Sequence, residues 1–457
     1  MKVPGFLVFV TATTAVAGFL YGYDTGIISS ALLSISNQFH LEHTMQEVVA
    51  SAILVGAILG ALTCGWAFER LGRRKMILVL GGVYIAGALF SSIAPNPIVL
   101  ILARIFLGFA VGGSSQTIPV YVAEVAPSAG RGHFVTTFNV AIGLGIVTAD
   151  IVGSTLHQMS WRVMIGAASV PALIFFLCAL KLPESPRWLV RQERADDAEK
   201  ALARVRCEGT DLRGEIGEMQ EVVKREKEAP EKGWSGLAQP WVRPAVIAAL
   251  GIAAFTQLTG IEMMIYYAPT LLGGLGYSRE GALLSSLGLG IVYAVMTAAG
   301  LVLVEHVGRR RLTLWMLPGA ALSLLLLGSV LVFKVADKGH HAWMVLVLLL
   351  TYMLFNAGGI QVVGWLSGSE MYPLAVRGAG TSAQATMVWG ADLLVTVTAL
   401  TLVHVLTAGG TMWVYAFMNI LAFFFVKRFF PEVGGKSLEE VETMLHDENF
   451  SPSQQAA

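Results

Sequence analysis

The chain reads Gly65-Trp-Ala-Phe-Glu69-Arg-Leu-Gly72-Arg73-Arg74, and about half a chain length later it reads Glu305-His-Val-Gly308-Arg309-Arg310. Two more motifs return in the same order at nearly the same spacing, Glu124-Val-Ala-Pro-Ser-Ala-Gly-Arg131 as Glu370-Met-Tyr-Pro-Leu-Ala-Val-Arg377, and Pro183-Glu184 as Pro431-Glu432. Three ordered matches indicate a duplicated unit. Internal duplication in an apolar chain is typical of membrane transporters.

Composition excludes an ordinary soluble domain. Of the 457 residues, 55% are hydrophobic and only 14% are charged, and the mean hydropathy is +0.66. A soluble protein carries about 25% charged residues. Lys and Arg balance Asp and Glu at 31 each, so no charge field favours nucleic acid. The three cysteines, Cys64, Cys178 and Cys207, have no metal or disulfide spacing. We expect no metal and no cofactor.

Twelve apolar runs are long enough to cross about 30 Å of hydrocarbon. They lie near residues 5–33, 47–68, 76–94, 97–122, 134–157, 162–182, 243–272, 282–304, 312–334, 342–369, 379–407 and 411–429. These runs predict an all-α integral membrane protein of twelve transmembrane helices in two pseudo-symmetric six-helix bundles, with short cytoplasmic helices. The expected divisions are a first bundle, a cytoplasmic helical linker, a second bundle and a cytoplasmic tail, at residues 1–182, 183–240, 241–430 and 431–457.

The basic residues fall on alternate loops, which predicts the orientation. One side carries most of them, at Arg70, Arg73, Arg74, Lys75, Arg131, the basic 187–243 segment, Arg309, Arg310, Arg311, Arg377, Lys427 and Arg428. Loops rich in Lys and Arg stay in the cytoplasm. We therefore expect a multi-pass protein of the plasma (inner) membrane, with both termini and the linker cytoplasmic.

The chain resembles the sugar porters of the major facilitator superfamily over essentially its whole length. The motifs that carry the resemblance are Gly22-Tyr-Asp24-Thr-Gly26, Gly65–Arg74, Arg104, Glu124–Gly132, Pro183-Glu-Ser-Pro-Arg-Trp-Leu189, Gln257-Leu-Thr-Gly260, Tyr266-Tyr267, Glu305–Arg310, Trp365 with Glu370, and Pro431-Glu432. The resemblance implies two six-helix bundles with a substrate site between them, working by alternating access. It implies a transporter and not an enzyme.

Acidic and basic residues recur at the predicted cytoplasmic helix ends. They are Glu69, Arg73, Glu124 and Arg131 in the first half, and Glu305, Arg309, Glu370 and Arg377 in the second. Guanidinium and carboxylate groups form bidentate pairs. We expect these residues to be a gate that holds the bundles closed inside when the site faces out. The alternative is that they serve only as basic loop residues that fix the topology.

Five charged residues lie within predicted spans: Asp24, Arg104, Asp150, Glu262 and Asp392. An unpaired charge at the bilayer centre costs at least about 2.5–3.5 kcal/mol, which marks such residues as functional. In related proton-coupled sugar porters the carboxylate at the position of Asp24 takes up the proton, and the arginine at the position of Arg104 is its partner. The resemblance implies that protonation of Asp24 loosens this pair. A static ion pair is the alternative, and Asp150 has no predicted role.

The resemblance also implies a sugar site of amides and aromatic rings, because amides exchange hydrogen bonds with hydroxyls and indoles lie against C–H faces. The matching candidates are Gln257, Tyr266, Trp365 and Trp389, and Asn139 is a candidate where the family usually has glutamine. Three further candidates depart from the usual residues: Gln361 where glycine is usual, and Asp392 and Glu262 where asparagine is usual. For each tryptophan the alternative is packing or an interfacial position.

Glu262 follows Gly260 as Asp24 follows Gly22, so it is the predicted second-half mate of Asp24. It has three possible roles: a strong acceptor for sugar hydroxyls, which we favour, a second titrating group, or a site for a cationic group on the substrate.

The sequence therefore predicts uptake of a monosaccharide, hexose or pentose, together with a proton. Alternatives are a passive facilitator of a sugar, polyol or cyclitol, a sugar-sensing receptor, and an amine or drug exporter. The expected partners are the sugar, protons and the lipid bilayer, with no nucleic acid, and the expected working unit is a monomer.

Overall fold

The computed structural model describes residues 4–127, 131–156, 158–207, 209–228, 233–335, 341–373, 375–434, 436, 438–447, 449–450 and 452. Among these it leaves out the side chains of 131–136, 222, 225–228, 342, 369, 438 and 439.

The described chain is helical. The first half contains α1 (Gly5–Phe39), α2 (His43–Leu71), α3 (Arg73–Ser92), α4 (Pro97–Val125), α5 (Arg131–Thr155), α6 (Trp161–Gly166) and α7 (Ser169–Ala179). Short helices follow: α8 (Pro186–Arg191), α9 (Ala195–Val205), α10 (Leu212–Glu228) and α11 (Gly233–Leu237). The second half contains α12 (Arg243–Leu258), α13 (Ile261–Gly274), α14 (Arg279–Val307), α15 (Arg309–Val332), α16 (Ala342–Gly358), α17 (Ile360–Met371) and α18 (Arg377–Phe429), and α19 (Leu438–His446) ends the series.

The predicted twelve spans are confirmed. Eleven helical segments of the described chain are long and apolar enough to cross a membrane. The last of them, α18, has 53 residues and breaks at Thr407, where φ is 65° and ψ is 166°, so it holds two spans. Three spans consist of two consecutive helices each: α6 with α7, α12 with α13, and α16 with α17.

Apolar side chains cover the outside of the bundles as well as their interior. Trp315 is 68% exposed and Leu284 is 60% exposed, both on spanning helices. In water such a surface would be unstable, whereas lipid tails solvate it. Many polar and charged side chains of the spans, among them Asp24, Arg104 and Glu262, are instead buried, and they mark the surfaces that face the middle of the protein.

Within the first bundle the helices approach closely because glycine stands at the contacts. A Cβ atom on Gly56 of α2 would lie 1.9 Å from the carbonyl oxygen of Ile105 on α4, and one on Gly112 of α4 would lie 1.9 Å from that of Ala57 on α2. Small residues at helix crossings are how membrane helices pack without a hydrophobic driving force. This packing makes α2 and α4 one rigid unit.

The two bundles meet along two seams. On one seam α2 packs against α18, and on the other α5 packs against α14. Between the seams α1 of the first bundle lies against α13 of the second. Side chains of α1, α5, α14 and α17 line a space between these contacts.

The short helices are divided between the two halves. In α8 the indole Nε1 of Trp188 donates to the carbonyl oxygen of Glu69 at 2.8 Å, and Arg206, which follows α9, donates from Nη1 to the carbonyl of Val125 at 2.7 Å. At the start of α11 the amide of Gly233 donates to the carbonyl of Ala375 at 3.1 Å, in the second half.

Candidate substrate and coupling site

At one end of the bundles Arg73 forms the centre of a charge cluster. It is 1% exposed and holds both carboxylate oxygens of Glu124, each at 2.9 Å, through Nε and Nη2. Its Nη2 also donates to Glu69 at 2.8 Å, and its Nη1 to the carbonyl of Phe68 at 3.3 Å. A planar guanidinium with five donors suits this arrangement, and lysine does not. We call the bundle end that carries this cluster the basic end.

The second half repeats the cluster around Arg309. Its Nε and Nη2 donate to the two oxygens of Glu370 at 3.1 and 2.8 Å, and Nη2 donates to Glu305 at 2.7 Å. Nη1 donates to the carbonyl of Val304 at 3.3 Å, as Nη1 of Arg73 does to that of Phe68. The motifs that repeat in the sequence therefore form the same set of hydrogen bonds and ion pairs in both halves.

The repeated Pro-Glu motifs cap helices in these clusters. Glu184 accepts from the backbone N–H of Arg74 at 3.0 Å, at the start of α3. Glu432 accepts from the N–H groups of Arg309 and Arg310 at 2.9 and 3.0 Å, at the start of α15. A carboxylate at a helix N-terminus satisfies unpaired donors and the positive end of the helix dipole. The sequence showed the repeat of these glutamates but not this capping role.

The cluster residues brace each bundle internally. The ion pairs of Arg73 join helices of the first bundle, and those of Arg309 join helices of the second. The side chain of Arg131 lies outside the described residues, and Arg377 begins α18 half-buried. At this end a contact between bundles comes from Gln116, whose Nε2 donates to the carbonyl of Thr381 at 3.0 Å. The predicted gate between bundles stays a prediction.

A narrow cavity of about 10 Å³ lies between the bundles, with room for about one water molecule. Its walls are Tyr21, Asn139, Ile142, Tyr293, Thr297, Leu301, Gln361, Val362 and Trp365. Three of the predicted binding residues, Asn139, Gln361 and Trp365, thus line one space.

Aromatic rings extend this site across both bundles. The Trp389 ring lies 5.1 Å from that of Tyr21 and 6.2 Å from that of Trp365, between ring centroids. Its Nε1 donates to the hydroxyl of Ser115 at 3.3 Å. These distances are typical of tilted and edge-on aromatic pairs. Trp389 therefore joins residues of α1, α4 and α17 beside the cavity.

Several buried polar atoms of the predicted site have no hydrogen-bond partner among the described residues. They are both amide atoms of Gln257, Oε2 of Glu262 and Oε1 of Gln361. These residues are at most 3% exposed. An unsatisfied buried donor or acceptor costs about 1–3 kcal/mol. Such atoms are normally paired. Gln361 lines the cavity and Glu262 lies within electrostatic reach of its wall residues Tyr21 and Tyr293, which indicates a place for a polar ligand there.

The backbone sets the position of Glu262. Gly260 takes φ of 97°, which divides the seventh span into α12 and α13. A left-handed residue of this kind is favourable for glycine because it has no Cβ. Glu262 consequently lies in the first turn of α13, where the helix dipole stabilises negative charge.

Glu262 and Asp392 are both buried, 3% and 1% exposed, and their carboxyl groups lie within electrostatic reach of each other. Oδ1 of Asp392 accepts from the hydroxyl of Thr396 at 2.9 Å. The phenols of Tyr21 and Tyr266 lie within electrostatic reach of both acids. Tyr266 thus takes its place in the same region as the other predicted binding residues.

Asp24 and Arg104 are buried near each other but do not touch. They are 2% and 1% exposed and interact electrostatically, yet the described residues contain no ion pair between them within 4.0 Å. Oδ2 of Asp24 and Nε of Arg104 have no hydrogen-bond partner in the described parts of the chain. Nη2 of Arg104 donates to the carbonyl of Ala50 at 3.2 Å. Arg104 also lies within electrostatic reach of Tyr266, across the bundle boundary.

Sequence reasoning missed Tyr21, Tyr293, Thr297 and Ser115. A signal existed for the first three. Tyr21 precedes Asp24 by three residues and therefore shares its helix face, and Tyr293 and Thr297 are four residues apart on one face of α14. Ser115 offered no such signal, because its role depends on Trp389 from the other bundle.

Twelve spans in two matching bundles, with buried polar atoms facing a space between them, define a membrane transporter of the major facilitator fold. The family model described as "Sugar (and other) transporter" matches residues 10–445. The chain therefore belongs to the sugar porter family of the major facilitator superfamily, and it is a multi-pass membrane transporter and not an enzyme.

Characterised relatives and a solved structure agree with this assignment. The chain is 35% identical over 455 residues to the major myo-inositol transporter of Bacillus subtilis, covering 97% of this chain and 94% of the relative. It is 35% identical over 435 residues to a D-xylose transporter of Levilactobacillus brevis, covering 94% of each. The structure resembles that of the proton:xylose symporter XylE of E. coli, bound to 6-bromo-6-deoxy-D-glucose, with a TM-score of 0.81, 25% identity, and coverage of 96% of this chain and 99% of that chain.

Proposed function

We propose that this transporter imports a monosaccharide together with a proton by alternating access. One observation carries the substrate part: Oε1 of Gln361, buried without a partner among the described residues, belongs to the cavity wall beside Trp365, and Trp389 lies 6.2 Å from Trp365. Oε2 of Glu262 is likewise partnerless, and Glu262 lies within electrostatic reach of the cavity-wall residues Tyr21 and Tyr293. Sugar hydroxyls both donate and accept hydrogen bonds, so they match amide and carboxylate atoms, while the C–H faces of a sugar ring match indoles. Asn139 at the cavity wall and Tyr266 beside the acids complete the set.

A pentose or hexose fits this chemistry, and a cyclitol fits it as well. The similarity to a D-xylose transporter supports the first, and the similarity to a myo-inositol transporter supports the second. Both ligands present a ring of hydroxyls with apolar C–H edges. The cavity has to widen to admit either, which alternating access provides when one seam opens.

Proton coupling rests on Asp24. The Asp24 carboxylate is buried, and its Oδ2 has no partner among the described residues. It lies near Arg104 without forming an ion pair, so gain or loss of one proton changes its electrostatic energy strongly. We infer that protonated Asp24 is free of Arg104, and that the ionised form pairs with it after rearrangement. Sugar occupancy and protonation then favour each other reciprocally. The similarity to a proton:xylose symporter supports this part.

The positive-inside rule supports a topology in which the basic end faces the cytoplasm, with both termini and the short helices on that side. The protein then lies in the plasma (inner) membrane and takes up substrate from the outside. The self-contained cavity supports a single chain as the working unit.

For Glu262 we favour the role of hydroxyl acceptor. A carboxylate accepts stronger hydrogen bonds than an amide, and Oε2 of Glu262 is buried without a partner. The nearby acid Asp392 also fits the two other roles of Glu262, a second titrating group and a site for a substrate cation.

Uptake by purified protein in proteoliposomes tests the proposal. We expect accumulation of a pentose, a hexose or a cyclitol against its gradient when a pH gradient is imposed, and no accumulation without one. Equilibration without accumulation under both conditions would establish a passive facilitator. Failure of all monosaccharides and cyclitols, with transport of an amine, would contradict the substrate assignment.

A further inference from the structure

At the end opposite the basic end, contacts between described residues that join the bundles include three pairs. Nη2 of Arg279 donates to the hydroxyl of Ser34 at 2.8 Å. The rings of His43 and His404 lie 6.0 Å apart between centroids. One helical turn further into the protein, Glu47 of α2 contacts Thr401 of α18. The last pair differs from the others because its charged member is buried.

Both carboxylate oxygens of Glu47 accept hydrogen bonds from one residue of the other bundle. Oε1 accepts from the backbone N–H of Thr401 at 2.7 Å, and Oε2 accepts from its hydroxyl at 2.7 Å. Glu47 is 1% exposed. Hydrogen bonds to an ionised acceptor are short and about twice as strong as neutral ones. Because both donors belong to Thr401, the two bonds form and break together.

Hydroxyl and amide donors, and not an ion pair, surround Glu47 in the part of the chain that the structure describes. Within the described residues no Lys or Arg forms an ion pair with Glu47 within 4.0 Å. The phenols of Tyr267 and Tyr415 lie within its electrostatic reach, and the Tyr267 hydroxyl donates to the carbonyl of Thr396 on α18 at 2.9 Å. A buried carboxylate without these two bonds would be costly. Its compensation therefore comes from Thr401 while the bundles touch, and from water once they separate.

We propose that Glu47 is a positioning residue of the transport cycle, a latch that closes the seam between α2 and α18 at the end opposite the basic end. The latch has two states, bonded to Thr401 or hydrated. It stabilises the closed form of this end and so favours exposure of the site at the basic end. The proposal goes beyond the proposed function, because it holds for any substrate and with or without a proton.

Spin-label distances across the seam test the latch. Labels at the exposed positions Met45→Cys and Leu406→Cys, in a background without the three native cysteines, measure the end that carries Glu47. Labels at Leu71→Cys and Gly378→Cys measure the basic end of the same helix pair. Loss of both bonds in Glu47→Ala should raise the ratio of long to short distances at the first pair by at least about tenfold. The second pair should shift toward short distances, because the two ends open in alternation.

Thr401 supplies the matched variants. Thr401→Val removes the hydroxyl and keeps the N–H, so its shift should lie between those of wild type and Glu47→Ala. Thr401→Ser keeps both donors and should restore the wild-type distances. Thr398→Val, on the same helix, removes an exposed hydroxyl bonded within its own helix and should change nothing.

Unchanged distances in Glu47→Ala would overturn the proposal, as would equal shifts in Thr401→Ser and Thr401→Val. If Glu47→Ala does not fold, Thr401→Val against Thr401→Ser decides. Failure of sugar or proton transport in proteoliposomes, with the distance shifts present, would contradict the proposed function and leave the latch standing.

Discussion

The two duplicated halves make matching contacts at the basic end and different contacts in the middle of the membrane. At the basic end Arg73 and Arg309 have corresponding partners, with main ion-pair distances that differ by no more than 0.2 Å between the halves. In the middle the matched acids differ: Asp24 lies near Arg104, whereas Glu262 lies near a second acid, Asp392. Each half needs the arginine cluster to hold its own helices together, so the contacts of the two clusters are alike. Substrate and proton binding need unlike groups, so the halves diverge there.

The largest effect should come from breaking the shared bracing. Arg73→Ala leaves Glu124 without its bidentate partner, and loss of one member of a buried pair costs about 3–5 kcal/mol. Arg309→Ala should lower the free energy of unfolding by a similar but smaller amount, because Glu370 is more exposed than Glu124, at 26% against 11%. Denaturant unfolding in detergent measures both.

Arg70→Ala is the control for this pair. Arg70 lies on the surface over the Trp66 ring, 4.1 Å from its centroid, and its loss should cost about 0.5–1 kcal/mol. If Arg73→Ala lowers the free energy of unfolding by about 3–5 kcal/mol and Arg309→Ala leaves it nearly unchanged, the two clusters match in geometry but not in energy.

Asp24→Asn should remove concentrative uptake. One charge moving through 100 mV supplies about 2.3 kcal/mol, which corresponds to roughly fiftyfold accumulation. Without a titrating group at this position the ratio of inside to outside sugar should fall to one, while sugar exchange persists. Flux of labelled sugar at an imposed potential and pH gradient measures both quantities.

Asp150→Asn is the matched control, since Asp150 is a buried acid of α5 that packs on Gly290 and has no place in the proposed coupling. It should keep accumulation. Continued accumulation in Asp24→Asn would show that the proton binds elsewhere, with the Glu262 and Asp392 pair as the next place to look.

Glu262→Gln should weaken substrate binding by about 1 kcal/mol, roughly a fivefold rise in KM, because a neutral acceptor replaces a charged one. Accumulation and its pH dependence should remain. Loss of the pH dependence would make Glu262 a titrating group. Loss of transport for a cationic substrate alone would make it a cation site. Initial rates over a range of pH separate these outcomes.

Trp389→Phe should have the smallest effect. It keeps a ring against Tyr21 and removes the long 3.3 Å bond from Nε1 to Ser115, worth about 0.5 kcal/mol. KM should rise a few fold with the maximal rate unchanged. Trp389→Leu, which also removes the aromatic face, should raise KM further. Equal KM values for the two variants would mean that the ring does not contact substrate.

The sequence predicts the fold well because each span carries its own signal, an apolar run about as long as the bilayer is thick. Through the repeated motifs it also points to the acidic and basic residues at the helix ends, although the pairs of Arg73 and Arg309 lie within each bundle and the expected gate between bundles stays a prediction. It could not place Trp389 against Ser115 and Tyr21, or Glu47 against Thr401, because these contacts join helices far apart in the chain. It predicted a pair of Asp24 with Arg104, which the structure places on α1 and α4 of the same bundle without an ion pair; that separation depends on how these two helices pack, which no local pattern encodes.

The division of the short helices has a practical consequence for handling this protein as two polypeptides. Trp188 and Arg206 bind the first half, whereas Gly233 binds the second, so a cut between Glu228 and Gly233 severs no contact named above. Each fragment would keep its complete arginine cluster and its capping glutamate. Co-expressed fragments should therefore reassemble into a working carrier, with a free chain end available there for a reporter or an affinity tag.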